Sequence, residues 1–378
     1  MDFSLTKDQA DIRKAATEFA KGAFEPDLIL EWDHKQEFPG AIWRKACDLG
    51  FVGAHFPEAY GGQGLDFLDQ ALILEAFCRR DSGVGIALGL SDFGSEMVFL
   101  HGTEAQKTRV LPSITRGDGY STMAFLEEGY GLSPFQTEVR KRGGLSFIQG
   151  TKSHVPLAGT AGFMVVVCQA GREPTEGQSV FLVENRPRGL EYRPEGETLG
   201  MRMISLGKVH FEMMEVLEEN RIGEVGKGAS YLKECLRHVR VELGAMALGI
   251  AQGALDRALD YAGKREQFGK AIVRFHPVRN RLADMFTRVE TARQMVYRAA
   301  WSLGRERPDE GAAIMAKLVA SRTALGVSSD AIQIHGGYGY MTEGQVEHYY
   351  RDAKALGLFL ESAPVEENML ADLIPWRF

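Results

Sequence analysis

Between Tyr120 and Arg221 the chain abandons the helical hydrophobic period that governs it on either side, and this double change of texture limits the fold more than any single motif. Short β-branched runs such as FMVVVC (163–168) and SVFLV (179–183), bounded by turn residues, are strands of a small sheet domain. Before them, to about Arg116, a helix-sized apolar period is interrupted by Pro26, Pro39, Pro57 and the glycine turn Gly61–Gly64. After Gly223 the helical period returns in four long segments, Ala229–Tyr261, Pro277–Leu303, Glu310–Gln333 and Glu347–Leu373, with short connections, as in a bundle. The expectation is an α+β multidomain chain: an N-terminal helical domain (1–117), a middle β domain (118–222) and a C-terminal four-helix bundle (223–378).

With 378 residues there is room for a large core or for two to three modest domains. A formal charge of -7 argues against a nucleic-acid partner and gives no attraction to a membrane surface. No run approaches the roughly 20 apolar residues that span a bilayer. The first residues, MDFSLTKDQADIRKAATEFA, carry three aspartates and suit an amphipathic helix through Phe3, Leu5, Ile12, Ala16 and Phe19, not a signal peptide. Cys47, Cys78, Cys168 and Cys235 are too scattered for a zinc site or a redox pair, so free thiols in a cytoplasmic protein are expected. A nicotinamide-type GxGxxG after a strand, a P-loop and an HExxH are all missing from the sequence.

Two glycine-bearing stretches remain as candidates for chemistry. In YAGKREQFG (261–269) Arg265 offers a planar fork for phosphate, and Phe268 with Gly269 offers an apolar face beside bare backbone; a basic residue near a helix end also simply serves the helix dipole. In QIHGGYGY (333–340) Gly336 and Gly337 admit close approach of a ligand, or make a tight turn between helices.

Together, Gln333, GGYGY, Glu343 and the run Tyr349–Lys354 (YYRDAK) resemble the C-terminal signature of the acyl-CoA dehydrogenase family, flavoproteins that desaturate acyl-CoA thioesters. GFVGAHFPEAYGGQGLD (50–66), the GTEAQK start after His101 and LADM (282–285) are similar to further family segments, so the resemblance covers essentially the whole chain. It implies FAD bound across a subunit interface by Arg265, Phe268, Gln333, Gly336 and Gly337, hence a dimer or a dimer of dimers, and an electron-transfer flavoprotein as acceptor. His348 stands where the family usually has a basic residue. In the middle domain the usual flavin contacts are altered: Leu126, Glu127 and Glu128 replace Thr-Glu-Pro, Gly131, Leu132 and Ser133 follow, and His154, Val155 and Pro156 replace Trp-Ile-Thr. Pro156 has neither hydroxyl nor amide hydrogen to offer a flavin ring.

The catalytic base departs further. The family takes the α-proton of the thioester with a glutamate in a Tyr-Glu-Gly-Thr tetrapeptide; here the aligned residues are Phe359, Leu360, Glu361 and Ser362. The family's other base position precedes the arginine matched by Arg240, and Val239 occupies it. Glu361 is one residue away, which on a helix turns a side chain by about 100°. Asp92, in LGLSDFGSEM (88–97), is the remaining carboxylate, either a base whose pKa is raised by desolvation or a helix N-cap or turn residue. Leu88, Phe93, Arg240, Phe359 and Leu360 are the expected substrate neighbours, with an intrahelical ion pair as the alternative for Arg240.

With no base at the α-carbon, a thioester already unsaturated at α,β fits the residues, because its acidity is transmitted to the γ-carbon. This is similar to the cyclic acyl-CoA dehydrogenases, such as cyclohex-1-ene-1-carboxyl-CoA dehydrogenase of anaerobic ring metabolism, and is the function the sequence favours. A flavin monooxygenase on the same fold and a non-catalytic relative are the alternatives.

Overall fold

The computed structural model describes residues 4–129, 135–170 and 177–375. Seven helices open the chain: α1 (Lys7–Ala23), α2 (Pro26–Lys35), α3 (Gly40–Asp48), α4 (Phe67–Arg80), α5 (Ser82–Gly89), α6 (Ser95–His101) and α7 (Glu104–Thr115). Their starts are chemical. Thr6 with Gln9, Asp66 with Asp69 and Thr103 with Gln106 each form a reciprocal capping box that satisfies two otherwise orphaned amides. Phe3 of the expected first amphipathic stretch lies outside the described residues, and the helix runs from Lys7 with Ala16 and Ala20 buried.

Eight strands follow: β1 (Ser121–Ala124), β2 (Glu138–Arg142), β3 (Leu145–Pro156), β4 (Phe163–Gln169), β5 (Gln178–Glu184), β6 (Leu190–Pro194), β7 (Leu206–Val216) and β8 (Arg221–Ile222). They form one sheet in the order β6-β7-β3-β2-β4-β5-β8, with β1 added parallel to β4. Every residue of β4 is buried, and successive side chains serve different cores. Phe163, Val165 and Val167 join the core shared with the helices, whereas Met164, Val166 and Cys168 join the sheet's own core, as the two-residue strand period requires.

The second helical region holds α8 (Gly228–Lys264), α9 (His276–Leu303), α10 (Glu310–His335), α11 (Val346–Leu356) and α12 (Ala363–Leu373). Here the expectation of a single helix over Glu347–Leu373 is corrected. The chain breaks at Gly357–Ser362, where Leu360 takes a left-handed φ of 67° and Ser362 starts a new helix with proline in its first turn. The break places Phe359 and Leu360 on a turn facing the N-terminal helices instead of on a helix surface.

Helix α8, roughly 55 Å long at 1.5 Å per residue, is the mast on which the domains meet. Gly249 and Gly253, one turn apart, let its backbone approach α4: a Cβ on them would stand 2.5 Å from the Glu75 carbonyl oxygen and 2.3 Å from that of Arg79. Helix α11 provides the second seam. Asp352 accepts from Ser82 Oγ (2.6 Å) and from the Met201 amide (2.7 Å), Tyr349 donates to the Arg80 carbonyl (2.7 Å), and Arg351 pairs with Asp33 (3.0 Å). His348 is ringed by Asp33, Asp81 and Asp352; burial alone would push its pKa down, but the three carboxylates outweigh it and raise it. Tyr349, Arg351 and Asp352 of the YYRDAK run therefore fasten the domains to one another. Among the described residues no helix is long and apolar enough to cross a membrane.

Candidate active site

Helix α5 ends at Leu90 and α6 cannot begin until the chain has turned through Gly94, whose φ of 103° only glycine adopts readily. A Cβ there would also lie 2.7 Å from the Thr122 carbonyl oxygen. In this turn the Ser121 amide donates to the Ser91 carbonyl (2.9 Å), and Asp92 forms an isolated parallel bridge with Ser121 of β1. Asp92 is thus a turn residue, but its side chain caps nothing: Gly94 is the N-cap position of α6 and receives no side-chain bond. The carboxyl stands partly buried at the seam of all three regions. Next to it the Phe93 ring lies 5.6 Å from Phe359 and 6.4 Å from Phe125.

Burial pushes the Asp92 carboxyl up to about 6; the nearby Glu96 adds to the rise, while His55 and the Asp92 and Gly53 amides oppose it. Glu96 behaves oppositely. Although buried, it accepts from His55 Nε2 (2.8 Å) and lies 2.7 Å from His238 Nδ1, and the two imidazoles hold it well below the usual carboxylate range. A residue that sequence reading missed joins this group. Glu242 of α8 is partly buried, and burial together with Asp92 and Glu96 raises its pKa well above the ordinary value. The interior of a 37-residue helix offers no pattern that singles out one glutamate, so no sequence signal marked it.

The expected substrate neighbours divide. Phe93 and Phe359 come together beside Asp92, and Leu360, the next residue of the turn, is 8% exposed. Leu88 is 3% exposed, packed in the helical core behind the turn. Arg240 is 1% exposed and makes no intrahelical pair; it reaches Glu361 of the α11–α12 turn (2.5 Å) and Glu310 of α10 (3.2 Å). Glu361 does point away from the Leu360 position, but the cause is this ion pair, since the residue is not on a helix. Lys317 Nζ donates to the Glu361 carbonyl (2.9 Å) and fixes the turn further.

The residues expected around the flavin lie in two groups. In the middle domain, Leu126 accepts from the Ser153 amide (2.9 Å) and Pro156 accepts through its carbonyl from Thr122 Oγ (2.5 Å). His154 sits at a register shift between β3 and β7 with φ 53°, a bulge that turns its side chain outward toward Glu195 (3.9 Å). Ser133 lies outside the described residues. Glu127, at the family's glutamate position, accepts from the Gln136 and Thr137 amides (2.6 and 2.9 Å) and from Lys152 (2.8 Å), a buried pair that holds this loop on the sheet.

The second group is at one end of the bundle. Tyr261 stacks on His335 (4.3 Å), which brings the hairpin carrying Arg265 and Phe268 beside the last turn of α10, with Gln333, and the Gly336–Gly337 turn after it. Phe268 is 94% exposed at φ 51°, Arg265 has no described ion-pair partner, and a Cβ on Gly336 or Gly337 would meet nothing within 4 Å. A guanidinium without a described ion-pair partner, a ring exposed but for an edge-on contact with Phe275 (6.3 Å), and bare backbone fit a flat cofactor with a diphosphate.

Residues 6–118, 123–214 and 226–360 match the N-terminal, middle and C-terminal domains of acyl-CoA dehydrogenase. The chain is 34% identical to the benzylmalonyl-CoA dehydrogenase of Aromatoleum aromaticum, over 94% of both chains. It is 30% identical to a subunit of the caffeyl-CoA reductase–Etf complex of Acetobacterium woodii, over 96% and 97%. It superposes on the butyryl-CoA dehydrogenase of Megasphaera elsdenii with a TM-score of 0.93 at 32% identity, covering 99% of each. The chain belongs to the acyl-CoA dehydrogenase family: it is an FAD-dependent oxidoreductase.

Proposed function

We propose that this enzyme dehydrogenates a cyclic α,β-unsaturated acyl-CoA, cyclohex-1-ene-1-carboxyl-CoA, to the conjugated 1,5-diene, with Asp92 removing the γ-proton. One observation carries the reading. Both family positions for an α-base are buried hydrocarbon, Leu360 and Val239, while a carboxyl with a pKa near 6 stands beside Phe93 and Phe359 at the turn between α5 and α6. A base of that strength is largely ionised at neutral pH and still basic enough to act. Vinylogy makes the γ-proton the acidic one, and the two phenylalanine rings give a flat acyl ring apolar walls.

The charges narrow the substrate further. Arg237, Arg240 and Lys317, the cations of α8 and α10 in this region, are each paired with a carboxylate. A free carboxylate on the acyl group, as in benzylmalonyl-CoA, would meet Asp92 and Glu242 while these three cations are already paired, which favours a neutral ring. FAD, when bound, supplies the hydride acceptor. Arg265, Phe268, Gln333, Gly336 and Gly337 are its holders in this reading, with Leu126, Ser133, His154 and Pro156 on the middle-domain side. The exposed Phe268, Tyr338 (64%) and Tyr340 (82%) support completion of that site by a second subunit, in a dimer of dimers. The Etf complex named for the Acetobacterium relative supports an electron-transfer flavoprotein as acceptor.

The test is anaerobic mixing with cyclohex-1-ene-1-carboxyl-CoA and, separately, with saturated cyclic and straight-chain thioesters. Bleaching of the flavin with diene formation from the unsaturated ring alone is the expected result. Bleaching by a saturated thioester requires an α-base and overturns the reading; oxygen-dependent hydroxylation makes the protein a monooxygenase.

A further inference from the structure

The face of α8 that looks at the Asp92 turn is fixed by two contacts on either side of Glu242. Four residues before it, His238 lies 2.7 Å from Glu96 of α6 and packs edge-on against Phe67 at 4.5 Å. Four residues after it, Met246 packs against Gly89 at the end of α5, so closely that a Cβ there would lie 2.4 Å from the methionine methyl group. Residues spaced by four share a helix face. Because one flank touches the helix after Asp92 and the other the helix before it, Glu242 faces the Leu90–Gly94 turn between them. Arg240, two residues back and about 200° around the helix, faces Glu310 and Glu361 instead. Among the described residues no amide, hydroxyl or cation pairs with the Glu242 carboxyl, which leaves it open to the carboxyl it faces.

We infer that Glu242 is the positioning partner of Asp92, a second carboxyl that stays neutral, faces the first across the pocket and donates its proton in a hydrogen bond to it. The inference rests on Asp92 as the base. Before reaction the pair holds one proton, on Glu242, and Asp92 is ionised. In the proton-transfer step a substrate C–H bond breaks and an O–H bond forms on Asp92; the electron pair left on carbon conjugates with the thioester, and the second ring hydrogen would leave as hydride, for which FAD, when bound, would be the acceptor. Both carboxyls are then neutral, and one proton passes to water before the next turnover. Two facing carboxylates cannot both ionise cheaply, so they titrate as a pair.

The other titratable groups around them are accounted for. His55 comes from the 51–56 loop, Glu96 from α6, His238 and Cys235 from α8 and Cys47 from α3. Glu96 is occupied by the two imidazoles, and burial pushes both thiols up, Cys47 to about 12.

The experiment is kcat/KM against pH, by anaerobic flavin reduction, for wild type, Glu242→Met and Glu242→Gln. Methionine removes the donor, so the acid limb moves up by about one pH unit; glutamine keeps an N–H donor and leaves the limb within about 0.3 of wild type. An unmoved limb in Glu242→Met overturns the inference and makes Glu242 structural. A loss above 100-fold at every pH in Glu242→Gln also overturns it, since Glu242 would then be the base itself. Asp92→Asn is measured alongside: full turnover there defeats the base assignment, a failure distinct from that of the pair. If Glu242→Met does not retain FAD, Glu242→Leu replaces it, and the infrared band of a protonated carboxyl at pH 7, present in wild type and lost in Glu242→Gln, is the independent readout. Its absence from wild type overturns the inference.

Discussion

Asp92 shows how a single residue carries cost and use together. Its carboxyl is raised from 3.8 to about 6. The folded state therefore binds more protons than the unfolded chain between those values, and stability falls as pH rises through that window. At pH 7 the ionised group is a standing penalty. Asp92→Asn should stabilise the enzyme at pH 7 by on the order of 1–2 kcal/mol, with the gain shrinking toward pH 4; thermal melts at both pH values decide it, and a gain that does not depend on pH would contradict the raised carboxyl. At this scale the sequence was informative only where chemistry broke a pattern. Leu360 and Val239 stood out because a carboxylate was expected there. Glu242 did not, because nothing in the spacing of α8 tells a pocket glutamate from a solvated one.

Among the elements, the long helices and the β4 and β5 strands were legible because their periods run unbroken for their full length. The break at Gly357–Ser362 was not, since Leu360 adopts a left-handed φ without the glycine that normally announces one. Nor was the role of Arg240, whose partners lie 70 and 121 residues away in sequence. The α4–α8 contact gives a direct test of the packing. Gly253→Ala gains helix propensity of about 1 kcal/mol but drives its Cβ to 2.3 Å from the Arg79 carbonyl and 2.5 Å from the Tyr349 ring. Backbone cannot swing aside as a side chain can, so a net loss of roughly 1–3 kcal/mol is expected. Gly263→Ala, near the end of the same helix with nothing within 4 Å of the new methyl, should be neutral or stabilising. Equal melting temperatures for the two variants would contradict the close approach.

For the molecule as a whole, the reaction site is a junction. Asp92 and Phe93 come from the first helical region, Phe125 and the Thr122–Pro156 bond from the sheet, and Phe359 and Leu360 from the break before α12. The order helical, sheet, helical could be read from the chain; the meeting point could not, because it depends on α11 and α8 drawing distant segments together through Asp352, Tyr349, Gly249 and Gly253. Tyr349 and Asp352 belong to the YYRDAK run, which secures the domains whatever thioester is bound. The most direct measurement of the account is the rate of anaerobic flavin bleaching by cyclohex-1-ene-1-carboxyl-CoA in wild type and in Asp92→Asn, each shown to hold FAD. If Asp92 is the base, the variant bleaches about 10² to 10⁴-fold more slowly while its flavin spectrum and substrate binding persist. Bleaching at the wild-type rate would contradict it.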